Sequence, residues 1–309
     1  MHDKIEKYEK RGSYIMIKLV AVDLDGTLLD EKHQLNDRTA QAIKEIQKQG
    51  IKFMTATGRN FNSVLPLFEE KGIICDFLLL NGALISDYHG NPILQTPFSM
   101  KAAEKAMDVL ENSQLPYQIS TNQGILSTDV QKGRTMFIQH MKRHGMSEEE
   151  IREMMEKSAF GRYDGEITDI SAFLKENPII YKMEAFGDEE QKITETFDEL
   201  QKIAELAITN SVASNIEVTV KEAQKGLALK EFCEREQIQE EEVVVIGDSL
   251  NDLSMMQLFK NSVAMKNAID IIKETASYIT EANYDYGAAL VLEDLVSDCK
   301  KKRFSFPIK

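Results

Sequence analysis

Hydrophobic and polar positions in the first eighty residues alternate between short apolar runs and longer amphipathic stretches. The apolar runs at residues 18–23, 51–56 and 77–80 are rich in aliphatic and aromatic side chains and predict buried strands. The stretches between these runs have the periodicity of helices, and they end at Gly50 and Gly72. The order strand, helix, strand, helix, strand predicts a parallel, doubly wound sheet.

The pattern changes at about Tyr88. Short strands now occur in pairs joined by turn residues, and amphipathic helices separate the pairs. The predicted pairs lie within residues 85–95, 117–127 and 206–220. Adjacent strands that pair as hairpins and are backed by helices indicate an α+β insertion with an antiparallel sheet.

One predicted strand of the insertion, residues 179–186, carries alternating side chains that include Tyr181, Lys182 and Glu184. Successive side chains of a strand point to opposite faces of the sheet. The alternation therefore allows one face of this strand to look into a ligand cleft.

The alternation of helix and buried strand seen in the first eighty residues returns after Lys221, with a helix at residues 225–236 and a fully apolar strand at residues 243–246. A chain of 309 residues is long enough for two domains. The predicted parts are an N-terminal extension (1–15), a doubly wound, Rossmann-like α/β core domain (16–87 and 221–309) and an inserted α+β domain (88–220).

Composition and charge narrow the range of partners. The formal net charge is −14, which disfavours nucleic acid and anionic membrane surfaces because both need a basic face. The three cysteines, Cys75, Cys233 and Cys299, are far apart and lack a Cys-x-x-Cys spacing, so we expect a reduced, cytoplasmic protein. No apolar run approaches the ~20 residues of a membrane span. The sequence does not specify the oligomeric state.

Polar side chains follow four of the predicted strands of the core. In a single parallel sheet all four groups would lie at the same edge, where open α/β sheets build their sites. The groups are Asp23 with Asp25, Thr57 with Arg59, Asn81, and Asp248 with Asn251 and Asp252.

These residue types point to phosphoryl transfer. Paired carboxylates from two strands suit Mg²⁺, which prefers oxygen ligands and shares them with substrate phosphate. One carboxylate can attack phosphorus to form an aspartyl-phosphate, and its neighbour can protonate the leaving oxygen and then activate water. Lys225, at a predicted helix start beside Gly226, can offset the negative charge of the transferred group.

The motifs resemble the haloacid dehalogenase (HAD) superfamily of phosphotransferases. Four of them occur in the expected order: Asp23-Leu-Asp-Gly-Thr27, Thr57, Lys225 and Gly247-Asp-Ser-Leu-Asn-Asp252. Further signatures are typical of its Cof-like subfamily, namely Ala56-Thr-Gly-Arg59, Asn81-Gly82, Lys225-Gly226 and Asn283-Tyr-Asp-Tyr-Gly287. The resemblance extends over nearly the whole chain from Met16, and it implies that the insertion is an αβ cap domain between the second and third motifs.

The resemblance also implies a role for each matching position. Asp23 is expected to be the nucleophile and a Mg²⁺ ligand, and Asp25 the general acid/base with its backbone carbonyl on the metal. Asp248 is expected to be a further ligand, and Ser249, which stands where such proteins often have Gly, belongs to the same metal site. Asp252 would act through a water or by orienting Lys225. The expected phosphate contacts are the Leu24 backbone N–H, Thr57, Gly58, Lys225 and Asn251, with Arg59 and Asn81 in support.

Plainer explanations exist for several of these residues. Thr57 is also a suitable N-cap for the following helix, and Arg59 is able to pair with a surface acid. Asn81-Gly82 is also a common turn sequence, and Lys225 taken alone is most simply a solvated lysine.

We predict a Mg²⁺-dependent phosphatase that acts on small phosphorylated metabolites, with sugar phosphates as the expected class. The alternatives are a phosphomutase or another phosphotransferase on the same scaffold, and a non-catalytic protein that binds a phosphometabolite. P-loop and Rossmann dinucleotide sites are disfavoured because neither G-x-x-x-x-G-K-[ST] nor G-x-G-x-x-G occurs.

Overall fold

The structure is a computed structural model that describes residues 16–143, 146–157, 163–210 and 214–301. The predicted N-terminal extension lies outside these residues. The strands are β1 (Leu19–Asp23), β2 (Lys52–Ala56), β3 (Asp76–Leu79), β4 (Leu84–Ser86), β5 (Pro92–Gln95), β6 (Tyr117–Thr121), β7 (Gly124–Ser127), β8 (Gly165–Glu166), β9 (Ile180–Phe186), β10 (Leu206–Thr209), β11 (Asn215–Val220), β12 (Val243–Gly247), β13 (Asn261–Ala264) and β14 (Tyr278–Ile279). The helices are α1 (Asp37–Lys48), α2 (Phe61–Lys71), α3 (Met100–Ser113), α4 (Val130–Arg143), α5 (Glu148–Lys157), α6 (Ile170–Lys175), α7 (Glu190–Gln201), α8 (Lys225–Glu236), α9 (Leu253–Leu258), α10 (Asp270–Thr275) and α11 (Gly287–Lys301).

Two compact units make up the chain. The first contains the described residues up to Thr55 together with those from Lys230 onward, and the second is Ala56–Leu229. The predicted boundaries of the inserted domain, at residues 88 and 220, stay a prediction.

The first unit contains a sheet with the strand order β14-β13-β12-β1-β2. Strand β1 pairs parallel with β12, β12 with β13, and β13 with β14. Every residue of β1 and β12 is buried, as expected for central strands of a parallel sheet covered on both faces. The α/β, doubly wound fold class predicted from the apolar runs is confirmed.

Local signals set the ends of the helices. The Asn36 side chain accepts a hydrogen bond from the Thr39 N–H and caps the start of α1. The Asn60 side chain does the same for α2 by accepting from the Ser63 N–H, so Asn60, and not Thr57, caps this helix. Gly72 adopts a left-handed conformation (φ 61°) and ends α2.

The second unit contains two sets of paired strands. Strands β3, β4 and β5 pair antiparallel in sequence order, so the predicted hairpin at residues 85–95 extends β3. A six-stranded sheet has the order β10-β11-β9-β6-β7-β8, and its pairs are antiparallel except β7 with β8. Helix α7 packs on β10 and β11 and contacts α3. The antiparallel sheet backed by helices agrees with the α+β insertion predicted from the sequence.

Two short elements were not predicted. Strand β8 has two residues, too few for any alternation to be visible, and it forms by pairing with β7 some forty positions earlier. Helix α6 has six residues, fewer than two turns, and its one local signal is the Asp169 N-cap, which accepts from the Ala172 N–H.

Among the described residues, no helix combines the length and hydrophobicity needed to cross a membrane.

Candidate active site

The parallel pairing of β1 with β12 brings two acidic residues to one edge of the sheet. Val22 lies opposite Ile246, so Asp23 and Asp248 follow at the carboxyl ends of neighbouring strands. Carboxylate oxygens of Asp23, Asp248 and Asp252 lie within 4.8 Å of one another. Asp23 is 4% exposed, Asp248 9% and Asp252 0%, so this carboxylate cluster is largely removed from water.

Hydroxyl groups fix both oxygens of Asp248. Thr27 Oγ1 donates to Oδ1 at 2.9 Å, and Ser249 Oγ donates to Oδ2 at 3.0 Å. Burial raises the pKa of Asp248, the nearby Asp252 raises it further, and the hydroxyl bonds offset only part of the rise. The folded chain therefore pays an electrostatic cost to keep this carboxylate ionised, which an added cation would relieve.

Asp252 holds the loop that follows β12. Its Oδ2 accepts hydrogen bonds from the backbone N–H groups of Asp248 and Ser249, each at 3.0 Å. A Cβ built on Gly247 would lie 2.5 Å from Asp252 Cγ, so glycine is needed at position 247 for the carboxylate to come this close. These bonds give Asp252 an orienting role within the first unit.

Gly26 makes room for Asp248 in the turn after β1. The turn, Leu24–Leu28, places Gly26 at φ 77°, a left-handed conformation that favours glycine. A Cβ at this position would lie 2.6 Å from Asp248 Oδ2. On its other side the Gly26 carbonyl accepts from Asn267 Nδ2 at 2.8 Å, so the turn is anchored as well as closely packed.

Asp25 differs from Asp23 in its surroundings. Its side chain is 42% exposed, and its Oδ1 lies 3.5 Å from His33 Nδ1. His33 sits in a tight loop where the Asp30 carboxylate accepts from the N–H groups of Lys32 and Gln34. Because the Asp25 carboxyl is accessible whereas that of Asp23 is buried, Asp25 is the one of the two that is suited to exchange protons.

The carboxylate cluster fits a divalent cation. Its donors are hard oxygens, they converge from different strand ends, and the negative charge they bury together requires compensation. The sequence prediction of a metal site at this edge is supported to that extent.

The second unit brings together four more of the predicted site residues. Thr57 N–H donates to the Leu78 carbonyl, and Asn81 N–H donates to the Thr57 carbonyl at 3.1 Å. Arg59 N–H donates to Thr57 Oγ1 at 3.1 Å, which leaves the hydroxyl hydrogen of Thr57 as a donor that this bond does not use. Thr57 is 1% exposed, and Gly58 approaches Asn81 so closely that a Cβ on it would lie 2.9 Å from Asn81 Oδ1.

Lys225 is the first residue of α8 and is fully buried. The alternative of a solvated surface lysine is therefore wrong. A buried ammonium requires negatively charged or polar partners, and Lys225 does interact in the folded chain. Leu24 is likewise buried, whereas Asn251 is exposed in the short turn Leu250–Asp252.

One face of the six-stranded sheet is polar although much of it is buried. The register places Glu184 opposite Gln118 on β6 and opposite Glu217 on β11, and Lys182 lies two residues from Glu184 on the same face. Tyr181 lies on the other face, where its hydroxyl bonds Gln95 Oε1 at 2.5 Å. The expected alternation of this strand is thus present, and its polar members form a connected group.

Three supporting residues, Thr27, Asn267 and Asn283, had no predicted role. Thr27 was visible only as part of the first motif, although its hydroxyl binds Asp248. Asn267 carries no local signal, and its Oδ1 accepts from the N–H of Asn283 at 3.0 Å. Asn283 Nδ2 donates to the Leu29 carbonyl at 2.9 Å, so the Asn-Tyr-Asp-Tyr-Gly signature ties the turn after β1 in place.

Comparison with known proteins identifies the family of this chain. The family model described as haloacid dehalogenase-like hydrolase matches residues 20–292. Phosphatase YwpJ of Bacillus subtilis is 30% identical over 287 residues, which cover 91% of this chain and 100% of that protein. The 5-amino-6-(5-phospho-D-ribitylamino)uracil phosphatase YcsE of the same organism is 30% identical over 281 residues, with 91% and 96% covered.

A solved structure shows the same likeness in three dimensions. A haloacid dehalogenase-like hydrolase from B. subtilis superposes with a TM-score of 0.76 at 27% identity, over 90% of this chain and 99% of that one. The matching residues include the first and fourth motifs, whose carboxylates form the cluster at the ends of β1 and β12. The chain is therefore a haloacid dehalogenase-like hydrolase of the phosphatase type, in the Cof-like subfamily that its motifs predict.

Proposed function

We propose that this enzyme is a Mg²⁺-dependent phosphatase that hydrolyses small phosphorylated metabolites through an aspartyl-phosphate, with sugar phosphates as its substrate class. The observation that carries the proposal is the buried cluster of Asp23, Asp248 and Asp252 at the ends of two parallel strands. Such a cluster favours a bound cation, and it holds the carboxylate that the motifs identify as the nucleophile.

The reaction has two halves. In the first, a carboxylate oxygen of Asp23 bonds to phosphorus while the bond from phosphorus to the ester oxygen breaks, and Asp25 gives its proton to that oxygen. In the second, Asp25 takes a proton from a water molecule whose oxygen attacks phosphorus, and the Asp23 carboxylate leaves with the electron pair. The exposure of Asp25 supports this exchange, because water can reach it.

The cation would be held by Asp23, Asp248, the backbone carbonyl of Asp25 and the Ser249 region. When bound, it supplies charge compensation for the phosphate and the carboxylates. The raised pKa of Asp248 supports this assignment, since a group that resists ionisation alone ionises readily beside a cation.

The phosphate contacts follow the motifs. We assign them to the Leu24 N–H, Thr57 with Gly58, Lys225 and Asn251. The buried Thr57 retains a hydroxyl hydrogen to donate, and the buried Lys225 brings a positive charge, which together suit a dianionic ligand.

The substrate class rests on two supports. The relative YcsE, and YwtE at 27% identity, are both named for the phosphate ester of a ribityl chain, which is a polyhydroxylated leaving group. The polar face of the six-stranded sheet offers amide and carboxylate groups of the kind that bind hydroxyls. We also place the enzyme in the cytoplasm, in keeping with the free, buried thiols of Cys75 and Cys233.

Asp23→Asn tests the proposal. The variant should keep the fold but lose turnover of an aryl phosphate and of a sugar-phosphate panel, and chelation of the wild type should stop turnover until Mg²⁺ is restored. Near-normal turnover by Asp23→Asn would contradict the mechanism. Release of free phosphate with and without acceptor sugars separates hydrolysis from phosphoryl transfer to a sugar, and absence of turnover across the panel would indicate a binding protein.

A further inference from the structure

The turn after β3 has an unusual backbone. Leu80, Asn81 and Gly82 adopt positive φ angles of 53°, 59° and 104° in succession. Leucine rarely adopts this conformation, and a run of such residues persists only where surrounding contacts enforce it. A Cβ on Gly82 would lie 2.5 Å from backbone atoms of Gln224, so the turn also abuts the residue that precedes Lys225.

The turn is joined to the Thr57–Arg59 segment by its backbone. Leu80 N–H donates to the Arg59 carbonyl and Asn81 N–H to the Thr57 carbonyl, both at 3.1 Å. The position of Asn81 therefore sets the position of Thr57, whose hydroxyl we assign to the phosphate.

The Asn81 side chain is held at both ends. Its Nδ2 donates to Glu217 Oε2 at 3.1 Å, across a sequence separation of 136 residues. Its Oδ1 lies against Gly58, where a Cβ would be only 2.9 Å away. A carboxylate partner accepts hydrogen bonds and does not donate them, which fixes which end of the amide points to Glu217.

Glu217 is itself fixed by a buried ion pair. Lys182 Nζ lies 2.8 Å from Glu217 Oε2, the oxygen that also accepts from Asn81, and 2.9 Å from Glu184 Oε1. Burial alone would lower the pKa of the Lys182 ammonium, but the two carboxylates outweigh that effect and hold this pKa above its ordinary value. Lys182 is 3% exposed and Glu217 8%, so the pair is shielded from water and from salt.

From these contacts we propose that Glu217 and Lys182 are positioning residues for the phosphate-binding segment: they hold Asn81, and Asn81 holds Thr57 and Gly58. This inference rests on the proposed phosphatase function, and it assigns to two residues of the six-stranded sheet a role in binding the phosphoryl group. They act through Asn81 without touching the substrate.

Removal of the Glu217 carboxylate should loosen the turn that holds Thr57. Without the Glu217 carboxylate, the Asn81 amide loses a charge-assisted hydrogen bond, and the strained turn loses one of the contacts that enforce it. The Thr57 hydroxyl then samples positions away from the phosphate. Because phosphate is held in the ground state and in the transition state alike, the effect should fall mainly on KM and on inhibition by inorganic phosphate.

A double-mutant cycle tests the coupling. Asn81→Ala, Glu217→Ala and the double variant are compared with wild type in KM and kcat for p-nitrophenyl phosphate and in the inhibition constant of inorganic phosphate. Each single variant should raise KM and the inhibition constant on the order of tenfold, as expected for a lost hydrogen bond to a charged group. The double variant should be no worse than Asn81→Ala, because Glu217 acts through that residue. Additive effects, or unchanged constants in Glu217→Ala, would overturn the inference.

A structural control separates positioning from loss of stability. Asp169→Ala removes the N-cap of α6 in the same unit, so it should lower thermal stability and leave the inhibition constant of phosphate unchanged. If Asp169→Ala raises that constant as much as Glu217→Ala, the effect of Glu217 is merely structural and the inference fails.

Amide hydrogen exchange gives a readout that needs no turnover. Glu217→Ala should speed exchange at the N–H groups of Leu80 and Asn81, whereas Asp169→Ala should not. Should wild type fail to hydrolyse any phosphate, the proposed function fails, but exchange still decides whether Glu217 fixes the turn. Unchanged exchange in Glu217→Ala refutes the positioning role by itself.

Discussion

Replacement of Gly26 by alanine should disable the metal site more than it unfolds the chain. At φ 77° the new Cβ would sit 2.6 Å from Asp248 Oδ2 and 3.0 Å from Asp248 Cγ. The carboxylate would have to retreat by about 0.8 Å to restore the 3.4 Å of ordinary contact. Mg²⁺ holds its ligands at about 2.0–2.1 Å in near-ideal octahedral geometry, so a retreat of that size takes the Asp248 carboxylate out of good ligand geometry.

Two costs combine in this variant. The left-handed backbone penalises alanine by about 1 kcal/mol. Movement of the carboxylate also weakens the hydrogen bonds from Thr27 and Ser249, and loss of one such bond to a charged group costs about 1.5–3 kcal/mol. The Mg²⁺ concentration for half-maximal activity should rise at least about tenfold, by comparison with the loss of a group that orients a metal ligand.

Gly50→Ala is a matched control for the backbone term. Gly50 has φ 82°, close to that of Gly26, but nothing lies within 4 Å of a Cβ built on it. The control should show the backbone penalty alone, with a wild-type Mg²⁺ requirement. Thermal melts in chelator and activity titrations with Mg²⁺ measure the two effects separately, and each 1 kcal/mol corresponds to about 2–4 °C in Tm for a chain of this order of size.

The comparison of the two glycine variants decides the argument. If Gly26→Ala and Gly50→Ala have the same Mg²⁺ requirement, the close approach of Gly26 to Asp248 does not matter for the site. The position of the Asp248 carboxylate would then not affect Mg²⁺ binding, which would argue against Asp248 as a metal ligand.

Two further predictions concern the same cluster. Thr27→Val removes the hydrogen bond to Asp248 Oδ1 and should weaken Mg²⁺ activation about tenfold with little change in kcat at saturating metal, as measured by Mg²⁺ titration; an unchanged titration would contradict this. Asp248→Asn should abolish activity yet raise the Tm of chelator-treated protein at pH 7, because the pKa of Asp248 is higher in the folded chain than in the unfolded one. The wild-type carboxylate therefore lowers the free energy of unfolding as the pH rises from its ordinary pKa upward. Thermal melts between pH 4 and pH 7 should show this loss of stability only in the wild type, and an Asn variant that is less stable than wild type at pH 7 would contradict the reasoning.

Short-range signals carried most of the fold prediction. Gly50 and Gly72 marked the ends of α1 and α2 to within about two residues, whereas the start of α2 is capped by Asn60 and not by the suggested Thr57. Strand β1 was equally visible, because a strand buried on both faces must be apolar throughout.

Short-range signals could not predict contacts between positions that are far apart in the sequence. Glu217 and Asn81 are 136 residues apart, and nothing in the residues around either one indicates the other. The orienting bonds of Asp252 to the Asp248 and Ser249 N–H groups could be expected from the spacing only once the loop conformation was known. Motif resemblance supplied the identities of the site residues, whereas their hydrogen-bond partners came from the folded chain.

The six-stranded sheet carries its polar chemistry on one face and its core packing on the other, so either can change without the other. Ile119, Met183 and Val218 lie in register on the apolar face, while Lys182 and Glu217 lie on the opposite one. On β9, substitutions at Lys182 or Glu184 thus alter polar chemistry, whereas substitutions at Met183 or Ala185 alter core packing. Mutations among the polar residues can therefore tune the proposed hold on Asn81, while the apolar face keeps the scaffold intact.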